Sequence, residues 1–228
     1  MKEIEVNKLL SLEETIAKSI FVDCIYPWEA LNKINEYILK LGDTLDKNEY
    51  NKTYDSKNNP IWIHNTVFIG DYVTVEGPTI ICENSVIGHC AYIRKNVIIG
   101  KDCLVGNSSE VKNSILFNGS KVPHFNYVGD SILGYKSHIG AGVKLSNYKS
   151  DGSVINIKVN DEVIKTNLNK FGAILGDNVE IGCNSVTNPG TIIGRNTTIY
   201  PLINVRGVVD SNIILKSTNP IIIVSKRG

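Results

Sequence analysis

An aliphatic residue recurs at every sixth position through the middle of this chain, and that period limits the folds open to it. Because 42% of the 228 residues are hydrophobic, chance gives ten such positions in a row about once in several thousand trials. A fixed period of this kind indicates a repeat architecture. The ten consecutive apolar positions are Ile63, Ile69, Val75, Ile81, Ile87, Ile93, Ile99, Val105, Val111 and Phe117.

The six-residue period matches neither the α-helix nor the two-residue alternation of a β-strand. It is typical of a solenoid with a triangular cross-section, in which each side is a short strand and each corner is a tight turn. Three repeats make one coil of 18 residues, and successive coils stack like parallel strands, about 4.7–4.9 Å apart. The predicted fold class is therefore all-β, a parallel β-helix over residues 61–228.

Two interruptions break the period. The interval from Phe117 to Leu133 is 16 residues, so we expect about four residues to leave the coil in a loop at residues 121–129. At residues 150–167, two alternating segments flank the polar pair Asn160–Asp161, which predicts a β-hairpin insertion. Solenoids carry insertions on one face, often the binding face.

Residues 1–60 predict a helical N-terminal segment followed by a loop. Ser11–Glu14 resembles a capping box that opens a short helix. Pro27–Leu41 has an apolar face and is followed by Gly42, which indicates an amphipathic helix. Residues 47–59 are polar and predict a loop. We expect this segment to cap the first coil of the solenoid.

Composition excludes several functional classes. A formal net charge of +1 argues against nucleic acid or a membrane surface as the main partner. No stretch approaches the roughly 20 apolar residues that span a bilayer, and no secretory signal is predicted at the start; we expect a cytoplasmic protein. Five cysteines without a Cys-x-x-Cys pair predict free, mostly buried thiols rather than disulfides or zinc ligands.

Arg94 and Lys112 each follow an inward position and lie 18 residues apart, which places two cations at one corner on neighbouring coils. Such charges repel unless an anion lies between them. Two interpretations stay open. In the first, the two cations are exposed to solvent or balanced by Glu110. In the second, they form a clamp for a phosphate group. His124, which lies on the predicted loop, is a candidate general base, although a lone histidine is more often structural.

Five blocks of sequence carry a resemblance to a known family: Val122-Pro-His-Phe-Asn-Tyr-Val-Gly-Asp130, Ile139-Gly-Ala-Gly142, Ser146-Asn-Tyr148, Asn169-Lys-Phe171 and Ile181-Gly182. Together they resemble the acetyltransferase domain of the bifunctional glucosamine-1-phosphate acetyltransferase/N-acetylglucosamine-1-phosphate uridylyltransferase family of hexapeptide-repeat acyltransferases. They are closer still to the C-terminal domain of archaeal sugar-1-phosphate nucleotidyltransferases. The resemblance covers about residues 61–208, and no nucleotidyltransferase domain precedes it in this sequence.

The resemblance implies an acyl-CoA-dependent N-acetyltransferase that uses acetyl-CoA to acylate an amino-sugar 1-phosphate such as glucosamine-1-phosphate. The pathway would be the synthesis of nucleotide-sugar precursors of the cell envelope, including UDP-N-acetylglucosamine. It also implies a left-handed β-helix and a homotrimer with the coenzyme in the groove between two solenoids. No metal ion and no nucleic-acid or membrane partner is implied.

The resemblance also assigns roles to single residues. His124 matches the catalytic base, and Ala141 and Cys183 match positions beside the coenzyme. The positions that match contacts to the amino sugar or its phosphate are Arg94, Lys112, Tyr127, His138, Asn147 and Lys170. Two positions depart from the family pattern, since His138 replaces an asparagine and Cys183 a serine.

Two other functional classes compete with this prediction. The first is a non-catalytic sugar-phosphate-binding or assembly module, against which the predicted break in register around His124 argues. The second is a zinc carbonic anhydrase on the same fold, which requires three converging histidines. The four histidines of this chain do not share the spacing of one coil.

Overall fold

The computed structural model describes residues 3–217. Within this range three sheets form the three sides of a β-helix, all of their strands pairing parallel except the first strand of one sheet, and a separate two-stranded hairpin projects from it. The predicted fold class, a hexapeptide-repeat parallel β-helix, is confirmed. The last part of the predicted domain, residues 218–228, lies outside the described residues.

The strands of each side are neighbours in space although they are far apart in sequence. Sheet A contains β1 (Tyr50–Tyr54), β2 (Pro60–His64), β5 (Thr79–Ile81), β8 (Val97–Ile99), β11 (Ser114–Leu116), β14 (Ile132–Leu133), β19 (Ala173–Leu175), β22 (Thr191–Ile193) and β25 (Val208–Val209). Sheet B contains β3 (Phe68–Ile69), β6 (Val86–Ile87), β9 (Leu104–Asn107), β12 (Lys121–His124), β15 (His138–Ile139), β20 (Glu180–Ile181), β23 (Thr198–Ile199) and β26 (Ile214–Leu215). Sheet C contains β4 (Thr74–Val75), β7 (Tyr92–Ile93), β10 (Glu110–Lys112), β13 (Tyr127–Gly129), β16 (Lys144–Leu145), β21 (Val186–Thr187) and β24 (Asn204–Val205).

The chain passes from sheet A to sheet B to sheet C in every coil. We name the turns between them the A–B, B–C and C–A corners. At the C–A corner the backbone enters the left-handed region at Asn96 (φ 64°), Asn113 (φ 45°) and Asp130 (φ 49°). Asparagine and aspartate tolerate this conformation better than other side-chain-bearing residues, so the sequence fits the turn at these positions.

The inward positions of the repeat form the inner core. From Ile81 to Val111 all six predicted inward side chains are fully buried. Complete burial of an aliphatic side chain contributes about 1.5–3 kcal/mol, and the coils stack these contributions along one axis. Ile69, on the first coil, is 40% exposed, because no coil covers it from below.

The register after Val111 differs from the prediction. Leu116, not Phe117, pairs with Ile99 of the coil below and occupies the inward position. The C–A corner around Asn113 is one residue shorter than the corner before it, so this coil has 17 residues rather than 18. Phe117 therefore points outward, where its ring lies 5.9 Å from that of Phe21.

The same shortening removes the predicted loop at residues 121–129. Leu116 and Leu133 pair with each other one coil apart, and the intervening residues form β12 and β13. No residues leave the coil there. The apparent excess of residues arose because the period was counted from Phe117 and because the C–A corner at Asp130 is also one residue shorter, so that Leu116 and Leu133 are 17 residues apart. The predicted hairpin insertion corresponds to β17 (Ile155–Val159) and β18 (Glu162–Leu168), which pair antiparallel.

The N-terminal segment begins with helix α1 (Val6–Leu9), and 3₁₀ turns follow at Leu12–Glu14, Lys18–Phe21 and Pro27–Lys33. The last of these runs directly into helix α2 (Ile34–Gly42), so the predicted amphipathic helix is half 3₁₀ and half α. Ser11 does not cap a helix, because its hydroxyl donates to Asp177 at 2.6 Å. The predicted loop at 47–59 contains strand β1, which pairs antiparallel with β2.

This segment covers a side of the prism rather than its end. The outward-facing row of sheet A is apolar, and it forms a second core with the N-terminal helices and the hairpin. Covering the first coil alone would leave the rest of this row in water. The row consists of Trp62, Ile80, Ile98, Ile115, Ile132, Ile174 and Ile192.

Candidate functional site

Sheet C has a polar outer face. Its residues are not part of the second core, which the N-terminal segment and the hairpin form with sheet A. Its outward residues align in one row across the coils, with Tyr92, Glu110, Tyr127 and Lys144 in successive strands. The C–A corner borders this face on one edge and the B–C corner on the other. The sequence-predicted residues fall on both edges.

Arg94 and Lys112 lie at the C–A corner on neighbouring coils, as the spacing predicted. The amide of Arg94 donates to the carbonyl oxygen of Val111 at 2.8 Å, which aligns the two positions. Arg94 donates to Glu110 at 2.9 Å, and Lys112 to Asp130 at 3.2 Å. Each cation therefore has its own carboxylate, and hydrogen bonding to Glu110 raises the pKa of Arg94.

Asp130 is the centre of this corner, and the sequence analysis did not single it out. Its carboxylate is buried and accepts hydrogen bonds from Lys112, from Asn113 at 2.8 Å and from Asn147 at 2.5 Å. A signal was available, because both asparagines are 17 residues from Asp130, which is the length of one shortened coil. Asn147 is thereby held against the predicted cations.

Tyr127 extends across the outer face toward the same corner. A β-carbon on Gly129 would lie 2.6 Å from the Tyr127 hydroxyl and 2.8 Å from the Asn147 amide nitrogen, so these side chains use the space that the glycine leaves. Burial, with the negative charges of Glu110 and Asp130, raises the pKa of Tyr127. Its hydroxyl stays protonated near neutral pH and can donate.

Lys170 joins the C–A corner from the far end of the hairpin insertion. It forms an isolated bridge with Tyr148, and the amide of Phe171 donates to the carbonyl oxygen of Asn147 at 2.9 Å. The insertion thus returns Lys170 beside Asn147. Its side chain is exposed.

His124 lies at the opposite edge, at the B–C corner. The turn that holds it is fixed by Asn126, a buried side chain that accepts from the His124 amide at 2.9 Å and donates to the Gly140 carbonyl at 2.7 Å. The imidazole is exposed and has no hydrogen-bond partner within residues 3–217. His124 therefore does not contact Arg94 or Lys112 directly, because the width of sheet C separates them.

Ala141 lies one coil from His124 at the same corner. The Gly142 amide donates to the His124 carbonyl at 2.9 Å, and the Gly140 amide donates to Ile181 at 2.6 Å. The amide between them, that of Ala141, has no acceptor in the described part of the chain. A backbone donor without an acceptor therefore lies in the turn that contacts the His124 backbone.

The last two predicted site residues, Cys183 and His138, lie outside the outer face of sheet C. Cys183 follows Ala141 in the same column, since the Asn184 amide donates to the Ala141 carbonyl at 2.9 Å, and its thiol is exposed. His138 lies on sheet B, where its Nδ1 is 2.9 Å from Glu180. Within one chain it does not border the outer face of sheet C. Of the other thiols, Cys82 and Cys103 are buried but Cys90 is exposed, so the expectation of mostly buried thiols was wrong.

Residues 3–217 contain no group of three or more histidine, cysteine, aspartate or glutamate residues placed to hold a metal ion. No helix among them has the length and apolar character needed to span a bilayer.

The fold and the two bordered corners define a hexapeptide-repeat β-helix with a polar site across one side. The family model described as "GMPPB C-terminal domain" matches residues 75–181 of this chain, and the model described as "Hexapeptide repeat of succinyl-transferase" matches residues 172–200. The chain is related to GlmU-type and archaeal bifunctional sugar-1-phosphate proteins, as the sequence blocks predicted.

Two curated relatives illustrate the similarity. The chain is 35% identical over 198 residues to the "Bifunctional protein GlmU" of Methanococcus vannielii, covering 87% of this chain and 46% of that protein. It is 31% identical over 162 residues to the "Bifunctional sugar-1-phosphate nucleotidylyltransferase/acetyltransferase" of Sulfurisphaera tokodaii, covering 63% of this chain and 40% of that protein. The chain spans less than half the length of each of these two relatives.

Among solved structures, the chain is similar to a putative acetyltransferase of Bacillus cereus with a TM-score of 0.36 and 21% identity. The alignment covers 63% of this chain and 72% of that one. A likeness at this level carries no functional assignment.

Proposed function

We propose that this protein is an acyl-CoA-dependent N-acetyltransferase acting on an amino-sugar 1-phosphate such as glucosamine-1-phosphate. The observation that carries the proposal is the position of the cations and His124 on opposite edges of one outer face. A strand of sheet C has three residues or fewer between the corners, so at about 3.3 Å per residue the edges are about 10 Å apart. The long side chains at both edges narrow this gap to the size of a sugar phosphate.

In this arrangement the phosphate lies at the C–A corner, near Arg94, Lys112 and Lys170. Tyr127 and Asn147 contact the sugar between the two edges. The amine then faces His124. These are the positions that the family resemblance assigns, and their shared face supports the assignment.

His124 is the proposed general base. Its exposed imidazole has no partner among residues 3–217, so a ring nitrogen is available to accept the proton that the amine loses on attack. Asn126 fixes the backbone of this turn from beneath, which positions the ring. General-base help of this kind contributes about 10²–10⁴-fold in rate.

Ala141 supplies the proposed donor for the developing negative charge. Its unpaired amide precedes Gly142, whose amide donates to the His124 carbonyl, and a preorganised amide in an oxyanion site is worth about 10²–10³-fold in kcat. Acetyl-CoA supplies the acyl group as an activated thioester. Cys183, exposed in the same column, would border the coenzyme.

A homotrimer is part of the proposal, because His138 cannot reach the outer face of sheet C of its own chain. It could approach that face only across a contact between copies. Such a contact would also form the groove for the coenzyme. The cytoplasmic location stays a prediction.

The test is a thiol-release assay with acetyl-CoA and either glucosamine-1-phosphate or galactosamine-1-phosphate. We expect turnover with one of them and a loss of about 10²–10⁴-fold in kcat in His124→Ala. Equal rates in both proteins would remove His124 from the mechanism. No turnover with any amino sugar would favour the non-catalytic module. The predicted break in register at His124, which argued against that module, is absent from the structure, so the assay has to decide between the two functions.

A further inference from the structure

A polar cavity of about 270 Å³ lies between the N-terminal segment and the C–A corner. Its solenoid wall continues directly from the predicted phosphate cations, because Lys112 and Asp130 are part of it. The other wall belongs to the N-terminal segment, for which the sequence suggested no functional residue. The lining residues are Leu31, Asn32 and Asn35 on one side and Lys95, Asn96, Lys112, Asn113 and Asp130 on the other.

The charges around this cavity are unequally compensated. Lys112 is paired with Asp130, and Arg94 at the same corner is paired with Glu110. Lys95 is exposed and has no carboxylate partner within residues 3–217. Two carboxylates line a neighbouring cavity with Lys95, but that of Glu76 accepts from the Tyr92 hydroxyl at 2.8 Å and that of Asp55 accepts from the Asn59 amide at 2.9 Å. An anion in the cavity would therefore meet one uncompensated ammonium group.

A chain of side-chain amides connects the N-terminal segment to this corner. Asn35, on α2, donates to Asn96 at 2.8 Å, and Asn96 donates to Asn113 at 3.3 Å. Asn113 in turn donates to Asp130 at 2.8 Å. The helix is thus linked through successive turns of the C–A corner to the carboxylate that holds Lys112.

We propose that Lys95 binds the phosphate of the acceptor and that α2, through Asn35, positions the turn that carries Lys95. This rests on the proposed function for the identity of the acceptor. The cavity takes a phosphate monoester on a sugar: Lys95 supplies the charge, and the asparagine amides supply neutral donors to the phosphate oxygens. The N-terminal segment is then part of the acceptor site as well as a cover for sheet A.

The direct test is isothermal titration with glucosamine-1-phosphate in the absence of coenzyme. We expect the dissociation constant of Lys95→Met to rise about tenfold, the usual scale for one charge-assisted hydrogen bond. Lys95→Arg should restore most of the affinity. Lys158→Met, at an exposed lysine on the hairpin, is the matched control and should bind like the wild type.

Unphosphorylated glucosamine separates a phosphate contact from a general effect on the site. Its affinity should be equal in Lys95→Met and the wild type. Equal affinity of these two proteins for glucosamine-1-phosphate would overturn the role of Lys95, and so would a wild type that binds no glucosamine-1-phosphate. A protein that binds the phosphate through Lys95 but never acetylates the sugar supports this site and contradicts the proposed function.

A second pair of variants tests the helix. Asn35→Ala should weaken binding of glucosamine-1-phosphate several-fold, because the turn at Asn96 loses its anchor. Asn51→Ala breaks a similar exposed asparagine pair, with Asn65, away from the cavity and should have no effect. Identical binding by both variants would refute the positioning role of α2.

Discussion

The ammonium group of Lys112 lies 3.2 Å from the carboxylate of Asp130, and 14% and 7% of these two side chains are exposed. Removing one partner of a buried ion pair leaves an uncompensated charge and costs about 3–5 kcal/mol. Asp130→Ala also deprives the amides of Asn113 and Asn147 of their acceptor.

We therefore predict that Asp130→Ala lowers the free energy of unfolding by about 3–5 kcal/mol, measured by urea denaturation at pH 7. The double variant Lys112→Met/Asp130→Ala should recover part of this loss, because it removes the unpaired charge. A single variant as stable as the wild type would contradict the buried pair.

The corrected register makes a prediction about two phenylalanines. Phe117 is fully buried in the outer core, whereas Phe125, at the B–C corner, is 59% exposed. Phe117→Ala should destabilise the protein by about 3–5 kcal/mol, and Phe125→Ala by about 0.5 kcal/mol or less. Thermal or urea unfolding of both variants checks this, and equal effects would show that Phe117 is not in a core.

The period of six predicted the β-helix because burial of one side chain per strand repeats without interruption from Ile81 to Val111. It could not predict the shortened C–A corner. The corner at Asn113 is one residue shorter than the corner at Asn96, although both asparagines are left-handed, and nothing in the apolar pattern marks this, because Leu116 and Phe117 are both apolar. The error carried into the predicted loop at 121–129.

The candidate site was predictable in part. One-coil spacing placed Arg94 beside Lys112, and Glu110, which the sequence offered as a balancing carboxylate, pairs with Arg94; the carboxylate that pairs with Lys112 was not predicted. Asp130 was not predicted, because two of its partners, Asn113 and Asn147, lie 17 residues away rather than 18, and its 18-residue interval to Lys112 does not show which way its side chain points. Asn35 and Lys95 line one cavity because the N-terminal segment packs on the outer row of sheet A.

Arg94 gives a prediction about the acceptor. Lysine keeps the charge but not the fork of donors that can hold a carboxylate and a phosphate together. Arg94→Lys should raise KM for glucosamine-1-phosphate about tenfold with a smaller change in kcat. Arg206→Lys, at the exposed arginine that follows Val205 at the same corner beyond the insertion, is the control. Similar kinetics for both variants would exclude Arg94 from the phosphate contact.

Two buried thiols predict how stability changes at high pH. Burial raises the pKa of both Cys82 and Cys103 to about 12, against a value of 9.0 for a free thiol. The unfolded chain therefore loses these protons first. Stability is complete below about pH 9 and falls between about pH 9 and 12, by up to about 1.4 kcal/mol per pH unit for each thiol.

Cys103→Ala should reduce the fall of the unfolding free energy per pH unit by the contribution of one thiol. This reduction is expected whatever effect the substitution has on stability at pH 7. Cys90→Ala, which removes an exposed thiol, should leave the slope as in the wild type. Urea unfolding at pH 8, 9 and 10 measures the slope. A slope unchanged in Cys103→Ala would contradict a buried, protonated Cys103.

The most direct measurement is a crystal structure of the protein with N-acetylglucosamine-1-phosphate. We expect the sugar to lie across the outer face of sheet C, with its phosphate at the C–A corner. The amide nitrogen should lie about 3 Å from an imidazole nitrogen of His124. A sugar phosphate bound on another side of the prism, or one that leaves His124 without contact, would contradict the proposed site.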